Sequence, residues 1–411
     1  MNESDRRLLL TGGGVGLAWI VSRLAMAYLW FTRCQFIAAD VQYYFAQIHN
    51  QGGAALAEYP TPILWTMRLL DALAGHDLRA FIDLFVALII FLDAAVTVAL
   101  FWRGSPLAAA YWVAFMAILG PIIWFRVDMI PAALVTLALL WLTRRPAIAG
   151  ALLAAAAATK LWPALLILPT LGRDRSARRR LAGFLIAGAA LGGLSLSIDG
   201  WARSVSPIAW QLQRGLQVES LAATRAMVLH ATRPTSVTVF MSRFHAYELT
   251  GVGVEGGLRL ATALTGLAFL LVLALSVVLA RRRQYSPRAA LLAVAAVTVA
   301  VIASNKTFSP QYVMWLAGPL GLVLASARTR SERRVGAITA FAGCAVAALT
   351  QLIFPLNYGE LLAIPGDPGV TTLLVVRNAL VAALAVGLGW SALRAAWRAP
   401  TSVDELFDGL G

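Results

Sequence analysis

The chain has 411 residues, 60% of them hydrophobic and only 13% charged, with a formal net charge of +14. Soluble domains carry about 45–50% apolar and about 25% charged residues, so these figures, with a mean hydropathy of +0.75, exclude an ordinary globular or disordered chain and indicate an all-α, polytopic membrane protein. The basic excess is not a nucleic-acid footprint, because the positive residues fall in short clusters between apolar runs, as Lys and Arg do when they hold loops on the cytoplasmic side.

A spanning helix needs about 20 apolar residues. On that rule residues 8–31 form the first span, too long for a cleaved signal peptide and therefore a signal anchor, with Arg6 and Arg7 left in the cytoplasm. The segment 32–79 is then a first outer loop, carrying Asp40, Tyr43, Tyr44, His49, Glu58, Tyr59 and Pro60, with 63–73 amphipathic and suited to the interface. Runs at 80–102, 106–124 and 129–141 follow, and Arg126 and Asp128 sit between the last two. Two short runs, 147–158 and 161–171, read as a hairpin whose tip, with Lys160, reaches an outer water-filled cavity. Span 181–198 leads into the long polar outer segment 199–257. Spans 258–280, 289–304, 310–326, 335–354 and 370–393 follow, with 355–369 an outer loop and 394–411 a cytoplasmic tail.

The result is one multi-pass domain, 1–411, of the cytoplasmic membrane with about 12 crossings by the span-length rule and both termini on the cytoplasmic side. The arginine clusters at 144–145, 173–180, 281–283 and 328–334 all fall on the inner side of that alternation. The two cysteines, Cys34 and Cys344, have no metal-ligand spacing, and neither do His49, His76, His230 and His245. No metal or cofactor is expected, since no cluster of carboxylates demands a divalent cation, although the sequence leaves one open.

Charges at the ends of apolar runs are costly unless they face a cavity or a partner, which makes them functional candidates. Lys160 and Lys306 are the chain's only lysines, and both lie at outer span ends, away from the arginine clusters. In chain order, Asp40 with Tyr43, Tyr59-Pro60, Arg126 with Asp128 and Pro131, Lys160 with Pro163, Arg214 with Gln217, Glu219 and Ser220, and Lys306 with Ser309, Pro310, Gln311 and Tyr312 form a sequence of short motifs on one side. That order resembles glycosyltransferase family 87, a GT-C family of polyprenyl-phosphate-sugar-dependent enzymes that includes actinobacterial mannosyltransferases and an arabinofuranosyltransferase of cell-envelope biosynthesis. The resemblance runs from Asp40 to Trp315, and its Tyr-Pro-Pro is Tyr59-Pro60-Thr61-Pro62 here.

The resemblance implies a GT-C-like fold with an outer-face active-site cavity. It also implies an inverting transfer of a hexosyl group, mannosyl by preference, from a polyprenyl-phosphate donor to a lipid-linked or glycan acceptor. Such chemistry needs a base for the acceptor hydroxyl, Asp40, with Tyr43 to orient it. It also needs cations on the leaving phosphate, for which Lys160, Lys306, Arg214 and Arg126 are the candidates. Tyr59, Asp128, Gln217, Glu219, Gln311 and Tyr312 are supporting residues under the same resemblance. Other readings of the residues stay open at this level: an arabinofuranosyl donor, a transporter or flippase of lipid-linked sugars, a structural Arg126–Asp128 ion pair, and lysines that merely snorkel to the interface.

Overall fold

The computed structural model describes residues 3–281 and 286–398. Arg282, Arg283 and the tail beyond 398 lie outside the described residues, as do the side chains of Arg6 and Arg7. The helices are α1 (Glu3–Arg33), α2 (Ala39–Asn50), α3 (Thr61–Leu73), α4 (Leu78–Ala99), α5 (Pro106–Leu119), α6 (Met129–Leu140), α7 (Pro146–Ala157), α8 (Arg175–Gln213), α9 (Thr224–Thr232), α10 (Val254–Arg281), α11 (Pro287–Ser304), α12 (Ala317–Ala325), α13 (Arg330–Gln351), α14 (Tyr358–Leu362) and α15 (Pro368–Trp397). Between α9 and α10 lie strands β1 (Val237–Met241) and β2 (Tyr247–Gly251), paired antiparallel with Val239 opposite Leu249.

Helix starts follow local chemistry. Asp77, Ser105, Asp174, Ser286 and Asp367 each accept a backbone N–H of the first turn, and Pro follows Ser105, Ser286 and Asp367 directly. Thr329 and Glu332 form a capping box at the head of α13.

Among the described residues, seven helices are long and apolar enough to cross a bilayer, where about 12 crossings were expected. Four of the expected spans fold as shorter helical pieces, such as α6 and α7 with 12 residues each. A 12-residue helix is only about 18 Å long against an apolar core of about 30 Å. The run 161–171 does not form a helix of its own but 3-10 turns at Trp162–Leu166 and Leu168–Thr170, where prolines remove ladder donors. The polar segment expected to start at residue 199 is likewise helical to Gln213, because α8 continues past a break at Gly200, whose φ of 75° suits only glycine. The β-hairpin is the departure from an all-helical chain.

Helix α11 is apolar on every face and sits at the centre, with 94% of its apolar window buried, as such a helix must. Helices α1 and α8 are peripheral, at 11% and 6%. Helix α1 is held by a polar lock. Arg23 pairs with Asp93 of α4 through two contacts of 2.8 and 2.9 Å, and Trp19 and Trp112 each donate to the same carboxylate at 2.8 Å. A fully buried Asp93 is tolerated because every lone-pair direction is met. Helices α7 and α8 approach backbone to backbone at Gly150 and Gly183, where a Cβ would collide with the carbonyls of Arg180 and Ala147.

The bundle has two polar ends. At one, Arg103 and Arg145 lie over the Trp141 ring, and Arg180 donates to the carbonyls of Leu142 and Thr170. At the other end lie Asp40, Arg126, Lys160, Arg214 and Lys306 together with the hairpin. A second, smaller core, built on Leu216, Val218, Met227, Val237, Leu249 and Leu374, carries the hairpin and α9 at this end.

Candidate active site

Asp40 occupies the first turn of α2, after a 3-10 turn at Gln35–Ala38 that brings the chain back from α1. Its carboxylate meets the Arg126 guanidinium at 2.9 Å, and 43% of the side chain stays open. Arg126 is buried and is fixed from behind: Nη1 donates to the carbonyls of Ile37 and Phe125, each at 3.0 Å. It reaches this place because Gly120, at φ 83°, ends α5 and starts the turn Pro121–Phe125. Enclosure by the protein raises the Asp40 pKa from its ordinary value; Asp128 adds to the rise, while Arg126 and His245 oppose it.

Asp128 starts α6 and is fully buried. Its Oδ1 accepts from Lys160 Nζ at 2.6 Å and Trp315 Nε1 at 2.9 Å, and its Oδ2 has no hydrogen-bond partner among the described residues. The Lys160 ammonium also lies 4.3 Å from the Tyr312 ring centroid, 5.2 Å from that of Trp315 and 5.9 Å from that of Tyr59. Trp162, Trp315 and Tyr312 stack in series at 4.5 and 4.3 Å. The proline-interrupted turns at 162–166 and 310–316 thus carry an aromatic wall that holds one cation. Gln311 is half-buried on the same turn as Tyr312.

Two alternatives left open by the sequence resolve here. Arg126 does not pair with Asp128; it pairs with Asp40, and Asp128 takes Lys160. Nor do the two lysines snorkel outward. Lys306 Nζ donates to the carbonyls of Arg214 and Leu212 at 2.6 and 3.2 Å, and burial lowers its pKa, with Glu248 opposing.

Arg214 lies beside Glu248 of β2 at 3.6 Å, and its Nε has no hydrogen-bond partner among the described residues. Gln217 bridges to Glu248 and donates to Ser309 at 3.1 Å. Tyr43 behaves differently from expectation: it lies beside Glu58, and its ring packs on His245 at 4.7 Å. Glu58 links the two halves of the cluster, since Arg203 and Arg214 both act on its charge while burial raises its pKa. Tyr59 meets the hydroxyl of buried Tyr44 at 3.4 Å.

Glu219 is not at this surface. It is fully buried against Arg377 of α15, which donates to its carboxylate at 2.7 Å and its carbonyl at 2.5 Å. Arg377 and the tryptophans of the wall escaped the sequence reading. An arginine within an otherwise apolar run was the available signal for Arg377. The histidines, without metal spacing along the chain, are also regrouped. His49 and His76 converge on Asp71, with the three ligand atoms within 4.8 Å of one another.

The cluster therefore offers a half-open carboxylate on a buried guanidinium, flanked by cations with unused donors. That arrangement can accept a proton and hold an anion. In comparison with known proteins, residues 58–305, more than half of the chain, match the family model of Glycosyltransferase family 87. Asp40, Tyr43, Lys306, Gln311 and Tyr312 lie outside the matched segment. No curated protein matches the chain.

Proposed function

The chain belongs to glycosyltransferase family 87 and is a multi-pass membrane glycosyltransferase, and from that membership we propose that it moves a hexosyl group, mannosyl by preference, from a polyprenyl-phosphate sugar to a lipid-linked or glycan acceptor. The observation that carries the proposal is the Asp40–Arg126 contact at the end of the bundle where Lys160, Arg214 and Lys306 also gather.

Asp40 takes the acceptor hydroxyl proton as the oxygen attacks the anomeric carbon. The bond from that carbon to the phosphate oxygen breaks, and the configuration inverts. A carboxylate with a raised pKa is the better base for this task, since the proton must pass to it in the transition state. Charge builds on the departing phosphate and needs preorganised donors. Arg214 and Lys306 suit this best. Lys160 is already matched by Asp128 at 2.6 Å and Arg126 by Asp40 at 2.9 Å, whereas Arg214 stands 3.6 Å from Glu248 and Lys306 is held by backbone carbonyls. Tyr312, Trp315 and Tyr59 give the sugar or acceptor an aromatic face. The arginine clusters at the opposite end favour an outer-face site on the cytoplasmic membrane, with both termini inside.

The test is transfer by membranes containing the wild type or Asp40→Asn, supplied with labelled polyprenyl-phosphate mannose and, separately, the arabinofuranosyl donor. Asn keeps a polar contact for Arg126 but cannot take the proton, so transfer should fall about 10²- to 10⁴-fold at unchanged expression. Transfer that survives the substitution would remove Asp40 from the chemistry. Transfer from the arabinofuranosyl donor alone would replace mannose.

A further inference from the structure

His49 ends α2, Asp71 lies in the last turn of α3, and His76 lies in the turn before α4. The Asp71 carboxylate is buried at 6% exposure and gives one oxygen to each imidazole: Oδ1 lies 3.0 Å from His49 Nε2, and Oδ2 lies 2.7 Å from His76 Nδ1. The two rings stand at 89° with centroids 5.8 Å apart. His76 takes a left-handed φ of 63° directly after Gly75 at 62°, a conformation uncommon for a residue with a Cβ. It turns the ring back onto Asp71, and the His76 amide donates to the Asp71 carbonyl at 3.1 Å. Among the described residues, the hydrogen-bond partners of this buried carboxylate are the two imidazoles.

We infer that His49, Asp71 and His76 form a binding site for a borderline divalent transition metal, Zn²⁺ first, that clamps helix α2. Two imidazole nitrogens and one carboxylate oxygen are the donors such ions prefer, and Mg²⁺ or Ca²⁺ would want more oxygen. The three donor atoms lie within 4.8 Å of one another, against about 3.4 Å between ligands of a tetrahedral site with bonds of about 2.0–2.2 Å, so small side-chain rotations would bring them onto one ion and leave the fourth position to water. The ion would enter where the imidazole protons now point at Asp71. Each ring then carries its proton on the other nitrogen, His49 on Nδ1 and His76 on Nε2, and no covalent bond changes. Both histidines are partly exposed, so a path for the ion is open.

The site lies apart from the Asp40 cluster. His49 lies nine positions along the helix from Asp40, about 14 Å at 1.5 Å per residue. The ion would therefore bind no substrate. It would tie the far end of the helix that carries Asp40 to α3 and to the α3–α4 turn, and so hold that helix in register with Arg126.

The experiment uses the full-length protein purified in detergent without a polyhistidine tag and stripped with chelator. Calorimetric titration with Zn²⁺ should give one equivalent bound at micromolar affinity, and Co²⁺ should give the visible absorption of a low-coordinate site. Millimolar Mg²⁺ should not compete. The His49→Ala/His76→Ala variant, altered at two partly exposed positions, should lose tenfold or more in affinity. Zn²⁺ should raise the thermal midpoint of the wild type but not of the variant. No saturable Zn²⁺ binding, or equal binding by the double variant, would overturn the site. Binding is read without any sugar donor, so it stands or falls independently of the proposed transfer.

Discussion

Replacing Lys160 by Met tests the electrostatics of the cluster most directly. In the native protein the Asp128 carboxylate is fully buried and has two donors, Lys160 Nζ at 2.6 Å and Trp315 Nε1 at 2.9 Å, both on Oδ1. At an effective dielectric of 20 the ion pair is worth about 6 kcal/mol of gross attraction, most of it offset by the desolvation of both groups. Met fills the volume of the lysine stem against Tyr312 and Trp315 but leaves the carboxylate with one indole donor. Orphaning one partner of a buried pair costs about 3–5 kcal/mol. The loss should therefore be about 3–5 kcal/mol. Asp128→Asn alone should cost less, about 1–2 kcal/mol, because Lys160 is 19% exposed and keeps the Tyr312 face. In the double variant the amide still accepts from Trp315 and no charge is orphaned, so a coupling of about 2 kcal/mol should appear. The measurement is equilibrium unfolding of the four proteins in mixed detergent micelles. A Lys160→Met protein within about 0.5 kcal/mol of wild type, or a double variant no better than Lys160→Met, would show that Asp128 is hydrated and that the cluster is not preorganised.

Other expectations follow from the same geometry. The acid limb of kcat/KM should lie above the ordinary range of an aspartate, because burial raises the Asp40 pKa and activity is lost as falling pH protonates it. Arg126→Met removes the cation that holds this pKa down, so the limb should move further up in a pH profile; a limb that moves down would contradict the assigned pairing. Arg377→Met should lower stability by about 3–5 kcal/mol, since it orphans fully buried Glu219. Arg377→Lys should recover part of that loss, and thermal unfolding that leaves both variants at the wild-type midpoint would refute a structural role for the pair.

The chain's class as a multi-span membrane protein could be read without a structure. Hydropathy is a sum over local residues, and spans such as α4, α10 and α15 declare themselves by length alone. Arginine clustering is equally local, and so are the caps at Asp77, Ser286 and Thr329. Asp40, Arg126, Lys160, Arg214 and Lys306 stand out in the sequence as charges of the outer segments, and the structure gathers them at one end of the bundle. What remained hidden was who pairs with whom. Asp128 lies two residues from Arg126 in the chain, yet it takes Lys160, because the turn into α6 points the two side chains to different neighbours. Glu219 looked like a sugar-binding group until Arg377, 158 positions away, closed over it. The His49–Asp71–His76 cluster has no spacing signal, since three elements each supply one member. Local sequence determines what must leave water and where a helix can begin. The partner of a buried charge is chosen by which backbones pack together, and that choice belongs to the tertiary structure, because the free energy of the pair exists only once water has been excluded from around it.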